Sequence, residues 1–315
     1  FLCLFLVSLL WTLSNGQRED WRSLLIVGTG LFALLMAVAF IAWELVTPKP
    51  LLNLRIFAIP GFAAGCAISF CYGAGLFGST YLIPLFVQQI QGFTATAAGL
   101  LLMPAGLAMA LIFPVAGYMA DRYPAPAVIT LGTVMLAGSS YMMGLMDVYT
   151  LPWLIVLWVT IGRLGLGFGM PAIGTGSLRA LDYSLVSQGS GAANFSRQIG
   201  GAIGVNLLSV TLDWRTMQHA RVITDTQTAA NALTGELLAR FQSMAPAAGL
   251  TPDQLGPASL GFLRQAIYFQ ASVRGFQDSF LILTGVFVLT LIPVWVMWRY
   301  TRVSKIGRAS CRERA

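Results

Sequence analysis

The chain has 315 residues, 57% hydrophobic and only 10% charged, with a mean hydropathy of +0.74 and a formal net charge of +7. Soluble domains carry roughly 25% charge, so this balance excludes an ordinary water-soluble protein. The basic residues are too scattered to suggest nucleic-acid binding.

Eight apolar stretches follow one another, each bounded by turn or charge signals. A bilayer core offers the backbone no hydrogen-bond partners, so a stretch of about 20 apolar residues must close its bonds internally as a helix. Strands of a membrane barrel would alternate in hydrophobicity, and these stretches do not. In chain order, Phe1 to Leu13 is too short to span and lacks a basic leader and a small-residue cleavage site. It is expected to be the second half of a cut spanning helix. A polar loop, Ser14 to Arg22, precedes a second span over about Leu24 to Trp43. Glu44 to Ile59, with Pro48, Lys49, Pro50 and Arg55, leads to spans over about Gly61 to Val87 and Ala95 to Met119. Asp121, Arg122, Pro124 and Pro126 make the next turn. Further spans are expected over about Ala127 to Met146, Trp153 to Leu178, Ala192 to Leu212 and Phe280 to Trp298.

Basic residues set the orientation, because inner loops of membrane proteins are rich in Lys and Arg. Lys49 and Arg55, then Arg122, then Arg179, then Arg299, Arg302 and Lys305 fall on one side of this topology, whereas Asp147 to Pro152 has none. The first side is therefore expected to be cytoplasmic, with both chain ends there. The long segment 213–279 then lies outside. Leu233, Leu237, Leu238, Phe241 and Met244 share one helical face, and Leu260 to Phe276 carries a similar pattern. Pro246, Gly249, Pro252, Gly256 and Pro257 are expected to break the two helices. Two readings stand for this segment: a helical hairpin lying on its own domain, or a docking surface for an envelope partner.

Residues Ile306 to Arg314 read IGRASCRER, which back-translates to the start of a common sequencing adapter, so 306–315 is expected to be read-through. In that tail three arginines oppose one glutamate, which leaves +5 for the remainder of the chain. Cys3, Cys66 and Cys71 lie in apolar stretches as small hydrophobes, and no CxxC or Cys/His pairing indicates a metal.

Charge placement identifies the candidate site. Eleven carboxylates, from Glu19 to Asp278, fall in loops or at helix ends and none lies mid-span. A proton-driven carrier needs a carboxylate that titrates within the membrane; if this protein is one, that group is expected elsewhere. Arg163 is the exception among the charges, roughly 15 Å into the sixth span at 1.5 Å per residue. A guanidinium there costs a few kcal/mol unless it meets water or a partner. It either lines a cavity or bonds to carbonyls as a structural group. Asn194, Arg197 and Gln198 form a polar cluster near the inner end of the seventh span, for a vestibule or for helix tethering. Gln88, Gln89 and Gln91 are expected to be interfacial, and His219 to have no partner. Gly165, Gly167 and Gly169 before Pro171, and Gly200 with Gly204, present small faces for close helix packing. Proline within spans invites the kinks that alternating-access carriers use.

Gly117-Tyr-Met-Ala-Asp121-Arg122 resembles the G-x-x-x-D-R gating loop of the major facilitator superfamily, in its second-half copy, with Pro124-Ala-Pro126 in place of the usual Gly-Arg-Lys. Trp43-Glu-Leu, Tyr81-Leu-Ile-Pro-Leu, Gly92-Phe-Thr-Ala-Thr-Ala-Ala-Gly99, Asn194-Phe-Ser-Arg-Gln-Ile-Gly-Gly-Ala-Ile-Gly204 and Met217-Gln-His-Ala220 are similar to the C-terminal part of EmrB/QacA-type 14-span drug:proton antiporters. The resemblance implies an all-α membrane fold. Residues 1–45 would be part of the extra linker pair, 46–212 with 280–302 the C-terminal six-helix bundle, and 213–279 an extracytoplasmic helical loop. It implies an inner-membrane exporter of amphipathic drugs, driven by the proton gradient with no cofactor, and inactive as this piece alone. Asp121 would steady one conformation by pairing at this loop with Arg122. Partners would be the small-molecule substrate, the bilayer and a periplasmic adaptor through 213–279. A carrier of an anionic metabolite or siderophore is the alternative. A membrane-embedded enzyme would need clustered acids or metal ligands, which the sequence lacks.

Overall fold

A computed structural model describes residues 1–16, 19, 21–47, 54–227, 232–244 and 252–312. Pro48, Lys49, Pro50, Pro246, Gly249 and Arg314, named above, lie outside the described residues. The described residues form helices α1 (Leu2–Asn15), α2 (Leu24–Val46), α3 (Pro60–Gln89), α4 (Ala95–Arg122), α5 (Ala125–Met143), α6 (Pro152–Leu178), α7 (Val186–Asp225), α8 (Ala232–Met244) and α9 (Pro252–Arg312). Two short 3₁₀ turns join them, Leu54–Ala58 and Tyr183–Leu185. There is no strand among the described residues, as the unbroken apolar runs require.

Local chemistry sets the helix ends. The Ser23 hydroxyl accepts from the Ile26 amide and Thr94 from Ala97, which caps α2 and α4. Gly92, at φ +73°, takes the left-handed turn between α3 and Thr94. Pro60 and Pro152 open α3 and α6, where the missing amide proton costs nothing.

The α3, α4, α5, α6, α7 and α9 helices form one bundle. α3 packs on α7, α9 and α6, α5 packs on α6 and α9, and α4 leans chiefly on α6. The core is continuous through Ile68, Tyr72, Leu82, Phe86, Ile129, Ile155, Phe276, Phe280 and Phe287. The α1–α2 pair packs mainly on itself and reaches the bundle through α1 against α7, where the Ser14 hydroxyl donates to Asn206 Oδ1 at 2.7 Å.

Six segments are long and apolar enough to cross a membrane: α2 to α6, and Leu255–Thr301 within α9. α1 is apolar but shorter. α7 is not among the six, because Asn194, Arg197, Gln198, Asn206 and neighbouring Gly and Ser dilute its apolar residues, yet it packs against α3 along its length as the seventh expected span. The chain is a multi-pass membrane protein. Consecutive bundle helices run antiparallel, so one end of the bundle carries Gln91, Met146 and Gln277 and the other carries Gly61, Arg122, Ala180 and Tyr300. A methyl on Gly61 would lie 3.2 Å from Ala180 and 3.3 Å from Tyr300, which fixes the second end as one layer.

The helical character expected of 213–279 continues directly from the bundle helices. α7 runs through 213 to Asp225, and α9 runs from Pro252 through 280 without interruption. Gln277, Asp278 and Ser279 look like a polar loop in sequence, but each is satisfied within helix packing. Gln277 Nε2 donates to the Met146 carbonyl at 2.7 Å, Asp278 meets His219, and the Ser279 hydroxyl bonds back to Gly275. Pro252 opens α9, and Gly256 and Pro257 sit in its first turns, where a lost backbone bond is cheap. α8 packs on α9, with Phe241 and Phe262 stacked at 4.8 Å.

Candidate functional site

Two cavities lie along α6. The first, toward the Gln91 end, is bounded by Arg163, Ser79, Ser139 and Ser140 on a wall of Ile83, Leu136, Val159, Leu166 and Phe287. Its volume is about 20 Å³, room for about one water molecule. Arg163 crosses from α6 to α3, where Nη2 donates to Thr80 Oγ1 at 3.0 Å. The Thr80 hydroxyl itself donates to the Leu76 carbonyl at 2.7 Å, so its oxygen is free to accept. Arg163 forms no salt bridge with a carboxylate among the described residues.

The second cavity, toward the Arg122 end, occupies about 160 Å³ between α3, α6 and α7. Asn194 and Arg197 both line it, with Ser69, Tyr72, Met170 and Ser190. Arg197 Nη2 donates to Asn194 Oδ1 at 2.6 Å, and Nη1 lies 4.0 Å from Met170 Sδ. Gln198 is exposed and does not line this cavity. The two guanidiniums therefore serve separate cavities, about two helical turns apart along the α6 face that runs from Arg163 to Met170.

Glycine closes the helix crossings around the two cavities. Gly73 of α3 and Gly200 of α7 each press against the other helix: a methyl on Gly73 would strike the Arg197 carbonyl, and one on Gly200 the Phe70 carbonyl. One on Gly204 would lie 2.6 Å from Ala74 Cα. On α6, a methyl on Gly165 would lie 2.7 Å from the Gly132 carbonyl of α5. Gly167 faces Ile112 of α4, and Gly169 leaves room for the Tyr72 ring. Tyr72 is fully buried, and its hydroxyl meets Thr133 Oγ1 at 3.0 Å. Pro171 lies inside α6, so the Gly167 carbonyl has no amide donor from that position.

The Gly117–Arg122 stretch forms the last turns of α4 rather than a loop, with only the Tyr123–Pro124 corner before α5. Nothing lies within 4 Å of a methyl placed on Gly117. Asp121 is exposed and forms no ion pair among the described residues. Arg122 turns back instead to its own helix, with Nη1 2.6 Å from the Tyr118 hydroxyl. The expected Asp121–Arg122 pairing does not form, since neighbouring positions on a helix point about 100° apart.

Two contacts were not foreseen. Gln91 Nε2 donates to the Thr150 carbonyl at 2.8 Å, tying the end of α3 to the α5–α6 turn. His219, expected to stand alone, has Nε2 2.8 Å from Asp278 Oδ2, and Arg215 Nε lies 3.6 Å from the same oxygen. The signal available in sequence was the spacing of Arg215 and His219, four apart on one helical face; their partner on α9 was hidden by a separation of 59 positions from His219. The pair is only partly buried, so its coupling is modest. A double-mutant cycle of His219→Ala and Asp278→Asn, read by thermal melting, should give a coupling of about 0.5–1 kcal/mol.

Comparison with known proteins places these features. The family model described as Major Facilitator Superfamily matches residues 1–205. The colistin resistance protein EmrB of Acinetobacter baumannii is 25% identical over 295 residues, covering 92% of this chain and 56% of that protein. The multidrug export protein EmrB of Escherichia coli K12 is 26% identical over 290 residues, covering 90% and 54% respectively. A multidrug resistance protein B homolog of Mycobacterium tuberculosis is 28% identical over 283 residues, covering 89% and 50%. The chain spans about half the length of these curated relatives. With an all-helical bundle, glycine-sealed helix crossings and a family model that matches well over half of its residues, the chain belongs to the Major Facilitator Superfamily.

Proposed function

We propose that this chain forms part of a proton-driven exporter of amphipathic compounds, with its bundle as one side of the translocation path. The observation that carries this reading is the 160 Å³ cavity between α3, α6 and α7, with an apolar side of Met170, Ile173, Leu178 and Ala193 and a polar side that holds the Arg197 guanidinium against Asn194. Ligand sites in carriers lie near the midplane between bundles, and drug-sized pockets run about 300–1,000 Å³. A facing bundle would supply the remaining volume, and also the titrating carboxylate. The names of the similar exporters support drugs as cargo.

In this reading the membrane is the bacterial inner membrane. The Arg122 end and the C-terminus face the cytoplasm, where Arg55, Arg122, Arg179 and Arg299 gather. The outer parts of α7 and α9, with α8, stand on the far side and offer a surface for a periplasmic adaptor. No cofactor takes part and no chemical bond changes.

The test is efflux of a fluorescent amphipathic dye from a pump-deficient strain that expresses the complete gene. Retention of dye should fall on expression and recover when a protonophore collapses the gradient. Efflux that persists with the protonophore would remove the proton coupling, and no efflux of any dye or drug would remove the exporter reading.

A further inference from the structure

We infer that the cavity between α3, α6 and α7 is a binding site for the head of an organic anion, with Arg197 as its charge contact. The inference rests on the exporter reading and specifies the class of compound it takes. Four observations converge on it.

First, the cavity is rich in hydrogen-bond donors. The Arg197 guanidinium has five N–H donors, and its one oxygen acceptor among the described residues is Asn194 Oδ1. Because Asn194 accepts through its oxygen, its amide NH₂ remains free to donate. The hydroxyls of Ser69 and Ser190 line the same space, and neither bonds to protein among the described residues. Second, no carboxylate among the described residues lines the cavity. A cationic ligand would meet an uncompensated positive charge, whereas an anion would supply the missing counter-charge. Third, the guanidinium is held in place. Its Asn194 bond and the Met170 sulfur fix one edge, and the Arg197 carbonyl is pinned against Gly73, so binding orders little that is not already ordered. Fourth, the remaining walls are apolar: Ile173, Leu178 and Ala193. A carboxylate, sulfonate or phosphate fits the polar corner, with an alkyl or aromatic body along the apolar side.

The same chemistry is offered by a soluble amphipathic acid and by an anionic lipid headgroup, and the experiment separates them. The full chain is purified in a nonionic detergent and titrated with dansyl-labelled undecanoic acid, with decanoate, decanamide and decylamine as competitors. Decanoate should displace the probe at about tenfold lower concentration than decanamide or decylamine, the worth of one charge-assisted hydrogen bond. Arg197→Gln should weaken probe binding about tenfold or more. Asn194→Asp keeps the side-chain volume and gives Arg197 an internal carboxylate, so it should erase the preference for acid over amide even if Arg197→Gln does not fold. In nanodiscs, loss of probe binding on adding phosphatidylglycerol to phosphatidylcholine would assign the site to a lipid headgroup. Binding unchanged by that lipid would assign it to a soluble acid.

Equal competition by decylamine and decanoate, undiminished binding in Arg197→Gln, or no saturable binding in the unaltered chain would each overturn the inference. Its failure is distinct from failure of transport. Protonophore-sensitive efflux without an acid preference removes only the anion site, and an acid preference without efflux removes only the exporter reading.

Discussion

Gly200→Leu is expected to prevent stable assembly of the bundle, at a cost of about 3 kcal/mol or more. Gly200 faces the Phe70 carbonyl and Gly73 faces the Arg197 carbonyl, so α3 and α7 touch backbone to backbone over two turns. A flexible side chain can rotate away from an added methyl, but a helix backbone cannot. In a membrane, where lipid tails are as apolar as leucine, such close packing is the main attraction between helices. An added isobutyl group would therefore widen the most extensive helix contact in the bundle. Gly138 of α5 is the matched control, since nothing lies within 4 Å of a methyl there. Gly138→Ala should be neutral or gain about 0.5–1 kcal/mol from helix propensity. Melting temperature and monodispersity of the two variants in detergent check both outcomes. Gly200→Leu melting with the unaltered protein would mean that α3 and α7 do not cross in this way.

Arg163→Met should raise stability and abolish transport together. Insertion scales charge about 2.5–3.5 kcal/mol for an arginine at the centre of a spanning helix. Among the described residues Arg163 has one hydrogen bond, to Thr80, and no carboxylate partner. Methionine fills similar space without the charge, so the variant should gain about 1–2 kcal/mol. In the complete transporter, dye efflux should fall to the level of the empty vector while the protein remains in the membrane. A residue that costs stability and is needed for activity is the expected signature of a functional site. A variant that melts lower and still pumps would instead make Arg163 a structural tie between α6 and α3.

The spans α2 to α6 and the last one were legible because lipid imposes one length and one composition on every crossing helix. α7 was legible as a helix of the bundle through the position of its turns and its glycines, though its polar content keeps it out of the six segments apolar enough to cross a membrane. The outer parts of α7 and α9 were legible as helical, but their continuity with the bundle helices was not. Gln277, Asp278 and Ser279 imitate a loop, and only the neighbouring Met146 carbonyl, His219 and Gly275 carbonyl make that run compatible with a continuous helix. The candidate site was half legible. An isolated intramembrane arginine stands out by its cost alone, as Arg163 does. Asn194 and Arg197 were legible as members of one polar cluster, whereas Gln198, grouped with them, faces away from the cavity. That Met170, Ser69 and Tyr72 would complete the Arg197 cavity depended on how three helices cross, which no local pattern records. The glycines of α6 and α7 were visible as small faces, while their partners Phe70, Ala74, Gly132 and Ile112 were not.

The continuity of α7 and α9 has a mechanical consequence. At 1.5 Å per residue, the 40 residues of α7 extend about 60 Å, twice the ~30 Å hydrocarbon core. Both helices leave the bundle at the Gln91 end without a joint, and the His219–Asp278 contact clamps them where Gly275 brings them close. They act as a stiff mast. A rocking motion of about 10° in the bundle would swing a tip standing ~30 Å above it by ~5 Å. Movements too small to see among the packed helices would thus be written, enlarged, on the far side of the membrane.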